Sequence, residues 1–276
     1  MKKGIRVTLK FLLFFIAWSI LVSLFIYEPG FTKQNPALLR LWFEFIPLSL
    51  TVLISLIFVY VIERKNQINI SLSRNLLRDT AIGSIIGLFW ILSVIEIANF
   101  LGVLNIGKYT SVNGLFIWIL AIFLNTIMQE LLVRGYLFSL VEKNYNKEIA
   151  TITTTLLFVL MHGGAFEAGF IAVLNVFTTS ILLSLMLIYT KGLVVPILMH
   201  FIWNCIGRLV GIVSLADDYP GLFDSHVSGS SILSGGDAKI EGSIIVLIFN
   251  VLLILSTVVY YNGKDNKVKK RIKYIW

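Results

Sequence analysis

The stretch Gly114-Leu-Phe-Ile-Trp-Ile-Leu-Ala-Ile-Phe-Leu-Asn-Thr-Ile-Met-Gln-Glu-Leu-Leu-Val-Arg-Gly-Tyr-Leu-Phe-Ser-Leu140 decides the fold. It is apolar over more than the ~20 residues a helix needs to cross a ~30 Å hydrocarbon core. Yet it carries Asn125, Gln129, Glu130 and Arg134 in its interior. Ionisable groups at such depth are costly and turn toward a protein-lined interior, which makes each a candidate for function. Seven further apolar runs accompany it, at about Phe11–Tyr27, Leu41–Ile62, Ala81–Leu104, Ile149–His162, Gly169–Tyr189, Gly192–Leu215 and Ser243–Tyr261. The fifth run in chain order, Ile149–His162, is short and breaks at Gly163-Gly164. The fold class expected is therefore all-α: a polytopic transmembrane helical bundle of about eight helices, or seven if that short run is re-entrant.

Composition agrees. The 276 residues are 57% hydrophobic and 14% charged, with a mean hydropathy of +0.88, too little charge to cover the surface of a soluble domain of this length. The first run exceeds the ~7–15 residues of a signal-peptide core and lacks a small-x-small cleavage site, so it reads as a retained helix. With the N-terminus placed in the cytoplasm, inside segments hold 18 Lys and Arg (among them Lys2, Lys3, Arg64, Lys65, Arg74 and the tail from Lys264 to Lys273). Outside segments hold four: Lys33, Arg40, Lys108 and Lys239. That bias favours both termini in the cytoplasm. The net charge of +8 sits on such flanks without a recognition motif, which points to anionic lipid headgroups and away from nucleic acid. No internal repeat or low-complexity tract divides the chain. It reads as one membrane-embedded domain over 1–276, with an extracytoplasmic loop over 216–241. That loop, holding Asp217, Asp218, Asp224, Asp237 and Glu241 among Gly and Ser, reads as mobile and polar, without metal-ligand spacing. Cys205, the only cysteine, excludes an internal disulfide and reads as a small buried hydrophobe.

Three polar constellations lie in the later helices. Glu130 and Arg134 are four apart and share a helix face, while Gln129 lies about 100° round on the face of Asn125. Phe158 and His162 repeat the spacing, with His162 at a helix end; His200 and Asn204 repeat it again, and Arg208 extends that stripe. Each also reads without chemistry: the Glu–Arg pair as a buried bridge that fixes packing, the histidines as hydrogen-bonded packing groups. Elsewhere Glu44 reads as reaching the interface from the outer end of the second helix. Glu96, with Asn99 nearby, reads as a packing partner deep in the third helix, a partner for Arg208 or part of a proton path.

The set resembles the CPBP intramembrane proteases, which include CAAX prenyl endopeptidases of the Rce1 type and bacterial Abi or bacteriocin-immunity proteins. The family signature is Glu-Glu-x-x-x-Arg, then Phe-x-x-x-His, then His-x-x-x-Asn, each on its own helix. Here it stands as Gln129-Glu130…Arg134, Phe158…His162 and His200…Asn204, a CPBP-like core over 123–208. The resemblance implies a catalytic set of Glu130, His162, His200, Asn204, Gln129 and Arg134, with His162 assisting the water and His200 and Asn204 stabilising the oxyanion. The first Glu, to which the family reading gives water activation, is Gln129 here, and an amide takes no proton at ordinary pH. Three mechanisms fit: Glu130 as base; His162 as base; or His162, His200 and Glu130 as zinc ligands, ranked below metal-free catalysis. The depth of His162, near the far end of a short helix, requires that helix to be tilted or displaced for the groups to meet.

The resemblance implies a hydrolase acting on a peptide or membrane-anchored polypeptide. The compact basic chain reads as a multi-pass protein of a bacterial plasma membrane, where prenylated targets are not expected. Bacteriocin self-immunity or processing of a secreted peptide is implied instead. Two other classes are carried: a non-catalytic relative serving as immunity or scaffold protein, because of Gln129, and a transporter using Glu96, Arg208 and the histidines. Neither inverted repeats nor paired broken helices favour the transporter.

Overall fold

A computed structural model describes residues 2–32, 34–64, 68–216 and 218–273, with 264–273 as backbone only. Lys33, Lys65 and the side chains of the basic tail, used in the charge reading, and Asp217, named in the loop, lie outside the described residues. Eight long helical segments form the bundle, as the apolar runs predict. They are α1 (Lys3–Phe25), α2 (Pro36–Ile57), α3 (Leu76–Phe100), the bent pair α4 (Leu115–Leu131) and α5 (Phe138–Asn144), α6 (Lys147–Met161), α8 (Phe170–Thr190), α9 (Val194–Val210) and α11 (Ile244–Lys273). Two short helices, α7 (Gly163–Ala168) and α10 (Ser231–Ser234), lie between them. This is an all-α, multi-pass membrane protein.

Local chemistry sets several boundaries. Asn35, Asn75 and Asn146 sit in extended backbone before α2, α3 and α6. Each side chain accepts a hydrogen bond from the N–H three residues on, at 3.2, 3.1 and 2.8 Å, satisfying a donor the helix itself leaves orphaned. Pro36 follows the first cap, at a position where a missing N–H costs nothing. At the other end of α9, Gly211 closes the helix in the left-handed region at φ 89°.

Six of the long segments, counting α4 through α5 as one, are long and apolar enough to cross a membrane. The two that fall short are α6, with 15 residues, and α9, with 17. At 1.5 Å per residue they reach about 22 and 25 Å, less than a ~30 Å core. These two carry His162 and His200.

The helix over 114–140 does not run straight. Leu132–Leu137 form a π-helical turn, with Gly135 at φ −81°, ψ −108°, before α5 resumes. A second π turn, Phe58–Ile62, ends α2. Tyr136, from the first of these turns, packs between Phe14 of α1 and Phe58 of the second, and donates to the buried Glu63, which Lys10 also meets at 2.5 Å.

α3 and α9 approach closely through two glycines spaced as small-x-x-x-small. A Cβ at Gly83 would stand 3.0 Å from the Val195 carbonyl oxygen, and one at Gly87 would stand 3.1 Å from Met199 Cα. Trp90, one turn further, stacks on Trp203 at 4.2 Å. The small-residue spacing on α3 was legible in the sequence and was missed.

Several expectations need correction. The segment 216–241 is pinned to the bundle. His226–Val227 pairs antiparallel with Leu104–Asn105, Tyr109 bridges Phe223, Lys239 donates to the Gly211 carbonyl, and Glu241 accepts from Trp203 and from the Ser214 N–H. Its polar side chains satisfy helix ends and helix faces, where composition alone suggests a solvated loop. Glu44 is 5% exposed and bonded on several sides, so it turns inward instead of reaching the interface. Glu96 is exposed in the last turns of α3, neither packed nor paired with Arg208, whose guanidinium bonds the Tyr219 carbonyl.

Gly87→Val places a branched side chain against the α9 backbone beside His200. It is expected to cost about 1–3 kcal/mol, as overpacking does, read as a lower unfolding temperature in detergent micelles. An unchanged temperature would show that α3 and α9 part freely.

Candidate functional site

The site is built outward from Arg134. The π turn sets this residue facing the bundle interior, 1% exposed, one turn below Glu130, which is fully buried. Its Nη1 bonds both Glu130 oxygens at 2.8 and 2.9 Å. Its Nη2 reaches Ser180 Oγ at 2.9 Å and the Ser180 carbonyl at 3.0 Å, and its Nε reaches Ser184 Oγ at 3.3 Å. Ser180 Oγ lies 3.0 Å from Thr155 Oγ1 of α6. The guanidinium also lies over the Phe158 ring, 5.0 Å from its centroid. A guanidinium in a dry interior needs every nitrogen satisfied, and here α4, α6 and α8 supply the partners together.

Glu130 is shared. Its Oε1 also meets His200 Nδ1 at 2.7 Å, which ties α9 to the same centre. On the other side His162 bonds through Nδ1 to the Phe158 carbonyl at 2.7 Å. A carbonyl only accepts, so Nδ1 carries the proton and Nε2 presents its lone pair. Phe158 is the common neighbour of both imidazoles, with ring centroids 4.2 Å from His162 and 6.0 Å from His200. The two histidines therefore stand no more than about 10 Å apart. His162, directly after the end of α6 at Met161, meets His200 through their shared neighbour Phe158.

Asn204 lies one turn along α9 from His200, 5% exposed, and makes no hydrogen bond among the described residues. Gln129 faces α2. Its Nε2 donates to Asn125 Oδ1 at 2.6 Å, Asn125 Nδ2 donates to Glu44 Oε2 at 2.8 Å, and Gln129 Oε1 is buried without a partner. Arg208, expected on the His200 stripe, joins the loop after α9 instead. Glu130, Arg134, His162 and His200 are thus brought together around Phe158, Asn204 adjoins His200, and Gln129 belongs to a second polar line on the α2 side.

Ser180, Ser184, Thr155, Asn125 and Glu44 complete this arrangement and were not singled out from the sequence. Ser180 and Ser184 carried a signal, two hydroxyls four apart on an otherwise apolar helix.

Among the described residues no three His, Cys, Asp or Glu side chains are grouped to hold a metal ion. Both oxygens of Glu130 are already engaged by Arg134, and one of them by His200 as well.

The fold and this cluster define a helical membrane protein with a charged centre shared by four helices. The family model for type II CAAX prenyl endopeptidase Rce1-like proteins matches residues 111–206, a segment that contains all three motifs. The resemblance read from those motifs is borne out over that segment. No curated protein and no solved structure matches the chain.

Arg134→Met leaves the Glu130 carboxylate buried without its main counter-charge. It is expected to cost about 3–5 kcal/mol. The double variant Glu130→Gln/Arg134→Met should recover part of that loss. Denaturant unfolding in micelles reads both, and equal losses in the two would mean that Arg134 acts through packing alone.

Proposed function

We propose that the protein is an intramembrane endopeptidase that hydrolyses a peptide bond in a membrane-associated or secreted-peptide substrate. The observation that carries this reading is the pair of imidazoles beside Phe158, each engaged through Nδ1, which leaves the Nε2 of each without a hydrogen bond among the described residues. His162 Nε2 takes a proton from water as the water oxygen adds to the scissile carbonyl. The developing oxyanion accepts from Asn204 Nδ2 and, when both ring nitrogens of His200 carry hydrogen, from its Nε2–H. The intermediate then collapses, and the imidazolium of His162 delivers its proton to the departing amide nitrogen.

Glu130 holds His200 and neutralises Arg134; with both oxygens engaged it is a poor base, and no step is routed through it or through a metal. The charge bias of the connecting segments supports both termini in the cytoplasm. Bacteriocin self-immunity and peptide processing are the biological settings this chemistry suits.

A second reading is favoured by one observation: Gln129 stands where the family motif has Glu. The chain would then keep the fold and serve as an immunity or scaffold protein without cleavage. Purified protein supplied with fluorogenic peptides, or co-expressed with a bacteriocin precursor, separates the two. His162→Ala and His200→Ala are each expected to lower kcat about 10²–10⁴-fold. Absent cleavage by the unaltered protein, with immunity surviving both substitutions, supports the scaffold. Gln129→Glu is expected to give no gain, since His162 takes the proton; a rise of about tenfold or more (~1.4 kcal/mol) would move the base to position 129.

A further inference from the structure

A line of hydrogen bonds runs along the α2 face of α4, outside the cluster used above. Glu44 lies at its centre. Its Oε1 accepts from Tyr219 Oη at 3.0 Å and Arg40 Nη1 at 3.3 Å, and its Oε2 accepts from Asn125 Nδ2 at 2.8 Å. Arg40 also forms an ion pair with Asp218 through two nitrogens, and its guanidinium lies over the Tyr219 ring. Every neighbour of the Glu44 carboxylate is a donor.

That arrangement has a direction. A carboxylate only accepts, so Asn125 must turn its NH₂ toward Glu44 and its Oδ1 toward Gln129. Gln129 must then turn its own NH₂ toward Asn125, at 2.6 Å. Reversing Gln129 alone would oppose two carbonyl oxygens, and reversing both amides would set an oxygen against the carboxylate. Gln129 Oε1 is left buried with no partner. A buried acceptor without a donor is destabilising, and few are left so without a reason.

We propose that Glu44 is a positioning residue: through Asn125 it orients the Gln129 amide so that Oε1 is offered as a fixed acceptor to a donor entering the site. The donor is the attacking water or a peptide N–H of the substrate, which share this chemistry. Gln129 then keeps the geometric half of what a carboxylate does at its position, accepting a hydrogen bond, without taking the proton. The catalytic consequence rests on the peptidase reading; the direction of the amide does not.

The chain holds three glutamines, Gln34, Gln67 and Gln129, so side-chain ¹⁵N labelling of glutamine yields three NH₂ pairs. In micelles one pair, identified by its loss in Gln129→Met, is expected downfield and slow to exchange. Glu44→Met and Asn125→Leu should each return it to the position of a solvated amide. Asn125→Leu leaves Glu44 its Arg40 and Tyr219 partners, so it reports on the line even if Glu44→Met folds poorly. In cleavage assays both variants should lose about tenfold in kcat, the scale of one misdirected hydrogen bond. An unchanged KM identifies the donor as water, and a raised KM identifies a substrate N–H.

A Gln129 signal unmoved by either substitution overturns the proposal. So does a moved signal with unaltered kinetics. Absence of cleavage by the unaltered protein would sink the peptidase reading, while the labelled amide still decides the direction.

Discussion

The buried ion pair of Arg134 with Glu130 is the constraint on which the rest of the structure depends. In hydrocarbon an unsatisfied polar group costs several kcal/mol, and a buried charge more. Arg134 cannot discard its proton, so its helix can be buried only where neighbours supply acceptors. Ser180 and Ser184 of α8 do so, Thr155 of α6 braces Ser180, and Glu130 passes the link on to His200 of α9. Replacing such a network by apolar residues would often cost nothing in stability. Its retention is therefore better understood as fixing the register of four helices than as holding them together.

The same economy of partners explains the geometry of α6 and α9. Helices of full membrane length would bury their ends' polar groups in headgroups on both sides. The two short ones fall below that length, and the last turn of α6 is followed directly by His162. His162 stands between α6 and α7 and bonds back through Nδ1 to the Phe158 carbonyl of that turn. The four-residue spacing of Phe158 and His162 is thus a backbone requirement as well as a packing one. The π turn at 132–137 acts similarly on α4, since a widened turn lets the chain change direction without leaving the bundle.

Much of this was legible in the residues. Apolar runs predicted eight long helices because bilayer thickness sets their length. The i, i+4 pairs predicted which polar groups share a face because helical pitch is invariant. What escaped was set by contacts distant in sequence. Nothing near Glu44 announces that Asn125 and Tyr219 will meet it, so an acid near a helix end reads as interfacial. The 216–241 segment looks solvated because its Gly, Ser and Asp content is that of a loop. Its anchors, Glu241 to Trp203 and Asp218 to Arg40, join partners 38 and 178 residues apart. The π turn left no mark beyond Gly135, one glycine among the 20 of the chain.

Saturation separates structural groups from chemical ones. Arg134 and Glu130, though the most highly charged, have their nitrogens and oxygens matched to neighbours. Among the described residues the Asn204 side chain makes no hydrogen bond, Gln129 has an orphaned carbonyl, and the two histidines each commit one nitrogen and hold one in reserve. Under the proposed reading these are the valences a substrate and its water would fill; the unmatched atoms of Ser55, Trp90, Asn175 and Asn250 lie outside that set. Thr126 and Thr178, by contrast, are closed by bonding back to carbonyls of their own helices. Glu130 and Arg134 are matched throughout, which is why the strongest charges in the site are the least suited to the proposed chemistry.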